Sequence, residues 1–325
     1  MKKFLVVRFS SIGDIVLTTP VIRCLHKTFE GAEIHYLTKE KYGDLLAQHP
    51  QITKVFTIQK SIDEVLPQMR EEGYDLVIDL HNNLRTGGLK MKLNAKYVAF
   101  SKLNIEKWVL VKFKKNLMPD LHVVDRYMDT LREWGVKNDG EGLDYYIPPE
   151  AEVAIESLPA AFHSGYMAFA IGGQHQGKKL PTDKLITICQ QLQHPLVLLG
   201  GPEDKEAADH ICAQASDRIY NGCGRYTLHQ SASLIRQARV VLTHDTGLMH
   251  IASAFQKKII SLWGCTTPDL GMYPYLPHPD SVILQAEHLK KRPCSKLGNH
   301  CSYGDFRCAR EIEDEAVIQA AQRLY

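Results

Sequence analysis

Ten short apolar runs separated by helical patterns constrain this chain more than any other feature. In the first half they are KFLVVRF, AEIHYLT, KVFTI, YDLVIDL and KYVAF, and in the second YMAFAI, PLVLLG, RVVLTH, KKIISLW and SVILQ. Near-continuous apolar strands alternating with helices such as TDKLITICQQL and DRYMDTLREWG predict parallel sheets covered on both faces. The stretch Tyr146-Ile147-Pro148-Pro149 interrupts the pattern, which then restarts. An α/β protein of two Rossmann-like domains, 1–150 and 151–310, follows. A final helical face carries Ala316, Val317, Ala320 and Leu324. A length of 325 residues suits two such cores.

The charge balance, 39 basic against 37 acidic residues, gives no reason to expect a nucleic-acid partner. The opening MKKFLVVRFSSIGD is too briefly apolar for a signal peptide, and no run approaches the ~20 residues of a membrane span. Eight cysteines without dense pairing suit a reducing cytosol, so a cytoplasmic location is expected.

Parallel α/β sheets bind ligands beyond the carboxyl ends of their strands. After the first strand comes Ser10-Ser11-Ile12-Gly13-Asp14. It has neither G-x-G-x-x-G nor G-x-x-x-x-G-K-[ST], which argues against a dinucleotide or a triphosphate loop. Asp14 reads either as the cap of the following helix or as a general base at a site's edge. In the second half THDTGLMHIASAF contains Asp245-Thr246-Gly247, the aspartic-protease triplet. Its neighbours Leu248, Ile251, Ala252 and Phe255 have helical spacing, so the triplet joins a strand to a helix and the protease reading fails. That helix N-terminus, at Thr246 and Gly247, suits a diphosphate, and Asp245 suits sugar hydroxyls.

Two further turns agree. The loop with Gly172, Gly173, Lys178 and Lys179 offers cations to a leaving phosphate, or else a solvated lysine pair. Glu203, after Gly200-Gly201, is placed either to grip ribose hydroxyls or as a first-turn charge. The sequence contains no D-x-D, the usual metal-diphosphate signature, so no metal and no cofactor is expected.

Six segments in order resemble glycosyltransferase family nine, the ADP-heptose:lipopolysaccharide heptosyltransferases and their relatives. They are SSIGDIVLTTP at 10–20, DLHNNLRT at 79–86, HVVDR at 122–126, KKLP at 178–181, GGPED at 200–204 and HDTGLMHIASA at 244–254. The resemblance implies a GT-B fold, two Rossmann-like domains facing each other across a cleft, with a closing helix over 311–325 packed back on the first. It implies inverting, metal-independent transfer of a heptose from ADP-heptose to a lipopolysaccharide core or related anionic glycolipid. Alternatives are another nucleotide sugar, or a non-catalytic nucleotide-sugar-binding protein. Asp14 becomes the base. Lys178 holds the donor diphosphate and Glu203 the ribose. Gly172, Gly173, Asp245, Thr246, Gly247 and His250 surround the donor. Ser10, Ser11, Gly13, Arg85, His122 and Arg126 face the acceptor. Leu180 stands where relatives often carry tryptophan, and Met249 where a small residue often follows D-T-G-L.

Two stretches remain. Between Arg85 and Lys115 eight lysines accompany one acid, Glu106, with Trp108, Val109, Leu110, Val111 and Phe113 interleaved. This reads as a solvated face or as peripheral contact with an anionic membrane, at the inner face of the bacterial inner membrane. Cys294, Cys301 and Cys308 have six residues between neighbours, which is not a standard zinc spacing, so they read as thiols rather than ligands.

Overall fold

The computed structural model describes residues 1–215 and 217–325. The described chain divides into two compact units, one of residues 1–103 with 121–146 and the other of 104–120 with 147–325.

The first unit holds a five-stranded sheet. Its strands are β1 (Lys3–Val7), β2 (Glu33–Lys39), β3 (Lys54–Ile58), β4 (Leu76–Asp79) and β5 (Lys96–Ala99). Their order is β3-β2-β1-β4-β5, and every pair is parallel. The central strand β1 has Phe4, Leu5, Val6 and Val7 wholly buried, each worth roughly 1.5–3 kcal/mol of burial. The chain runs from β1 outward to β2 and β3, then returns to place β4 on the other side of β1. Val7 pairs with both Leu37 and Asp79, so the strand order reverses between β1 and β4.

The second unit holds six parallel strands in the order β11-β10-β9-β6-β7-β8. They are β6 (Met167–Ala170), β7 (Leu196–Leu199), β8 (Ile219–Asn221), β9 (Val240–His244), β10 (Lys258–Trp263) and β11 (Val282–Gln285). The reversal falls between β6 and β9, where Ala170 pairs with Leu199 on one side and Thr243 on the other. Ten strands are those read from the apolar runs. The addition is β8, three residues of which only Asn221 is buried, too short and too polar to show as a run.

Two expectations need correcting. The helix Asp314–Leu324 packs into the second unit. Val317, Ala320, Ala321 and Leu324 join the core of the second unit with Leu185, Ile188, Val240 and Ile260. Lys184 pairs with Asp314 and ties the helix start to that unit. The segment 104–120, with the helix Asn104–Phe113, also belongs to the second unit although it lies within the first half of the chain. Lys114 Nζ donates to Pro293 O at 2.6 Å, and a pairing so distant in sequence leaves no local signal.

Candidate functional site

In each unit the chemistry-bearing residues collect where strand order reverses, which is where open parallel sheets leave a crevice. In the first unit the turn after β1 leads into a short helix, Ile12–Val16. Asp14 lies in its first turn. Its Oδ2 accepts from the Ser11 N–H and hydroxyl, both at 2.9 Å, so the capping reading is correct as far as it goes. Its Oδ1 meets Arg8 Nη2 at 2.5 Å.

Arg8, which sequence reading passed over, organises this turn. Its Nε donates to Ser10 O at 2.8 Å, and its Nη1 donates to Leu80 O at 2.5 Å and to Tyr127 Oη at 3.0 Å. One guanidinium thus joins the loops after β1 and β4 to the helix Val123–Asp129. Burial pushes the Asp14 carboxyl up. The Arg8 charge, the Ser11 N–H, and hydrogen bonds from Arg8 and the Ser11 hydroxyl outweigh it, so the group lies below the ordinary carboxylate range. With its side chain 18% exposed, Asp14 is a charged carboxylate held in place yet open to a ligand.

Of the other residues assigned to an acceptor, Gly13 is buried in this turn and Arg85 is exposed at the start of the helix Leu84–Gly87. His122 caps the helix Val123–Asp129, its Nδ1 accepting from Val124 N at 3.1 Å, and Arg126 is buried on that helix.

In the second unit four loops at the carboxyl end of the sheet are stitched together. Lys178, in the loop after β6, has its Nζ 2.8 Å from Asp245 Oδ2, in the loop after β9. The same oxygen accepts from Thr266 Oγ1 at 2.9 Å, which adds the loop after β10. Lys179 Nζ lies 3.0 Å from Asp204 Oδ1, which adds the loop after β7. Leu180 N donates to His244 Nε2 at 3.1 Å. Desolvation pushes His244 down to about 4, so it is a neutral acceptor at physiological pH.

The glycines are needed here for close approach. A Cβ at Gly172 would meet Asp204 Oδ2 at 2.5 Å, and one at Gly173 would meet the Thr246 methyl at 3.3 Å. Thr246 is the cap of the helix Gly247–Ala254 but makes no side-chain cap hydrogen bond, which leaves the helix's first amides available to an anion. His250 is buried on the same helix.

Sequence reading therefore placed Lys178, Asp245, Thr246, Gly172 and Gly173 at one locus. It singled out Glu203, which is exposed, and missed its buried neighbour Asp204, the residue that holds the loops. It also missed Lys179's pairing and His244. The Gly200-Gly201-Pro202-Glu203-Asp204 stretch offered two acids, and only the position of the turn decides which faces inward. Leu180 and Met249, the two departures from the family pattern, are both core residues.

Two parallel sheets, each with its polar residues gathered at a strand-order reversal, define an α/β ligand-binding protein of paired Rossmann-like units. The sequence profile of glycosyltransferase family 9 (heptosyltransferase) matches residues 64–301, and the chain belongs to that family. It is accordingly a glycosyltransferase with the GT-B fold. Lipopolysaccharide heptosyltransferase 2 of Salmonella typhimurium is 24% identical over 345 residues, 96% of this chain and 97% of that protein. The glycosyl transferase family 9 structure from Veillonella parvula superposes with a TM-score of 0.78 at 23% identity, covering 99% of this chain and 97% of that one. The E. coli heptosyltransferase WaaC, solved with ADP, has a TM-score of 0.69 at 20% identity, covering 99% of this chain and 100% of that one.

Proposed function

We propose that this glycosyltransferase moves a heptose from ADP-heptose onto a lipopolysaccharide core or related anionic glycolipid, with inversion at the anomeric carbon. The observation that carries the donor half is the Lys178–Asp245–Thr266 cluster beside the open N-terminus of the helix Gly247–Ala254. A diphosphate there takes the Lys178 ammonium as its counterion and the helix amides as donors. Asp245 turns from Lys178 to sugar hydroxyls. Glu203, exposed beside Gly201, suits the ribose. Relatives named as lipopolysaccharide heptosyltransferases, and one structure solved with ADP, support the choice of donor and acceptor.

The acceptor half belongs to Asp14. A carboxylate with a depressed pKa is a weak base towards a resting hydroxyl. It suffices because the attacking hydroxyl becomes acidic as its oxygen bonds to the anomeric carbon, and the proton passes late. Arg8 and Ser11 fix the carboxylate, so no reorganisation is needed at that moment. The leaving ADP departs from the face opposite the attack, which gives inversion. Lys178 and the helix dipole meet the charge developing on the diphosphate, the role a metal plays in D-x-D enzymes, so the transfer needs no metal. The Asp14 role is tested by Asp14→Asn in a transfer assay with ADP-heptose and core glycolipid. Transfer at the normal rate would sink the mechanism.

A second reading concerns where the enzyme works. No helix of the described residues is long and apolar enough to cross a membrane. The helix Asn104–Phe113 nevertheless exposes Ile105 at 75%, Trp108 at 57% and Phe113 at 62%, with Lys112 and Lys115 nearby. This pattern suits peripheral contact with an anionic bilayer on the cytoplasmic side, where each basic residue adds about 1 kcal/mol. Not every lysine of the stretch is available for it, since Lys92 pairs with Asp63 and Lys96 lies over Trp134.

A further inference from the structure

Four cysteines of the second unit converge beside the loop that carries Lys178. Cys294, Cys301 and Cys308 are close in sequence, but the fourth, Cys265, comes from the loop after β10. The sulfurs of Cys265, Cys294 and Cys301 all lie within 4.8 Å of one another. Cys308 Sγ lies 3.6 Å from Cys294 Sγ, and Cys308 is buried in one cluster with Cys265 and Cys294. All four are free thiols, and a 3.6 Å separation is far from the ~2.05 Å of a disulfide. It is close to the edge of a tetrahedron of sulfurs about a zinc ion, which a Zn–S bond of ~2.3 Å sets at about 3.8 Å.

The surroundings also suit metal thiolates. Phe306 N donates to Cys301 Sγ at 3.2 Å, the kind of backbone hydrogen bond that orients a ligating sulfur. Arg292 and Lys114 both lie within electrostatic reach of Cys294 and Cys308 and offset the excess negative charge of four thiolates on a divalent ion. Arg292 is itself fixed, donating to the carbonyls of Trp263, Gly264 and Thr266 on either side of Cys265. Tetrahedral sulfur-only sites suit zinc or iron, and a site closed by four protein thiolates is the form that structural zinc takes.

We propose that Cys265, Cys294, Cys301 and Cys308 form a four-thiolate site for one Zn2+ ion, which braces the donor loop. Binding converts the thiols to thiolates and releases their protons to solvent. All four positions are taken by protein, so the ion is structural and takes no part in transfer.

The bracing follows from contacts already in place. Cys265 N donates to Gly177 O at 2.7 Å, and Gly177 N donates to Gly298 O at 3.1 Å. A Cβ on Gly177 would come within 3.0 Å of the Cys265 sulfur and 2.5 Å of Gly298 O. The turn that carries Lys178 therefore rests on the cysteine segment. Thr266, next to Cys265, holds Asp245. The bracing role, unlike the metal site, rests on the donor assignment made above.

The test uses the full chain, reduced and stripped of metal, titrated with Co2+. A sulfur-to-cobalt charge-transfer band and tetrahedral d–d bands that saturate at about one equivalent, and that Zn2+ abolishes, are expected. Elemental analysis of the chain as purified should find about one zinc, lost in Cys308→Ser and in Cys301→Ser. Because those variants can misfold, alkylation of the wild type gives an independent reading. Zn2+ should protect the four cysteines and leave Cys212 labelling unchanged. Absence of the cobalt bands, a Cys294–Cys308 disulfide in cytosolically expressed protein, or stoichiometric iron in place of zinc would overturn the assignment. The cobalt spectrum is read without nucleotide, so it stands or falls apart from the donor reading. Removing the metal should weaken ADP binding about tenfold or more. An unchanged ADP affinity overturns the bracing role.

Discussion

Lys178 Nζ sits 2.8 Å from Asp245 Oδ2, an ion pair that joins the two loops on either side of the strand-order reversal in the second sheet. Neither side chain is open to solvent by more than a fifth or so, at 21% and 8%. The pair keeps a lysine and a carboxylate ready at one place, each able to exchange its partner for a part of the donor. Lys178→Ala should lower kcat/KM for the nucleotide sugar by about 10²–10³-fold, the cost of losing one donor to a developing charge. Steady-state kinetics with ADP-heptose, alongside ADP titration calorimetry, would show it. An unchanged kcat/KM would remove Lys178 from the donor site.

Asp14→Asn should cost about 10²–10⁴-fold in kcat and leave ADP affinity unchanged, because the base is lost and the donor site is not touched. Single-turnover transfer and ADP binding on the same preparation separate the two.

The pH profile carries a sign. Asp14 has a folded-state pKa below the ordinary carboxylate range, so its charged form persists as pH falls through that range, and activity limited by Asp14 falls only below it. The ion pair also contributes stability, present above the unfolded pKa and lost as pH falls through the folded one. Arg8→Gln removes the main charge holding the carboxyl down. The acid limb of kcat should move to higher pH, and stability should fall by about 3–5 kcal/mol, the cost of leaving a buried charge unpaired. A pH–rate profile and urea melts would check both, and an acid limb that stays where it was would show that Asp14 is not the titrating base.

His244 is buried, neutral and pushed down to about 4. A lowered pKa means stability that is complete above the unfolded value of ~6.5 and lost as pH falls toward 4. The group's share of that loss is about 3 kcal/mol. His244→Phe should cost about 1–3 kcal/mol at neutral pH, by leaving Leu180 N without its acceptor, and should make unfolding less steeply dependent on pH below 6.5. Thermal melts between pH 4 and 7.5 would reveal a parallel, undiminished slope if His244 were not responsible.

Trp108→Ser with Phe113→Ser should leave transfer to a soluble, delipidated acceptor unchanged. The same variant should reduce co-sedimentation with anionic vesicles severalfold, because both side chains are exposed and contribute little to the core. Equal sedimentation of variant and wild type would assign this face to solvent.

Much of this architecture follows from short-range information. Period and composition mark ten of the eleven strands among the described residues, because a buried parallel strand must be apolar along its whole length, and that shows in any window of five residues. The turns that follow those strands mark Asp14, Lys178 and Asp245, since open parallel sheets bind ligands beyond the carboxyl ends of their strands. Strand order, by contrast, has no local signature. Apolar runs do not state which neighbour they pair with, so the reversals between β1 and β4 and between β6 and β9 belong to tertiary packing. The partners those reversals create are settled at the same level. Arg8 reaches Leu80 and Tyr127, Lys179 reaches Asp204, His244 reaches Leu180, and Cys265 joins three thiols from a different segment. Each pairs residues far apart in the chain, at distances of a few ångströms that only the folded sheet imposes. Residue type determined what chemistry the chain could offer, and the sheet's order determined which groups meet.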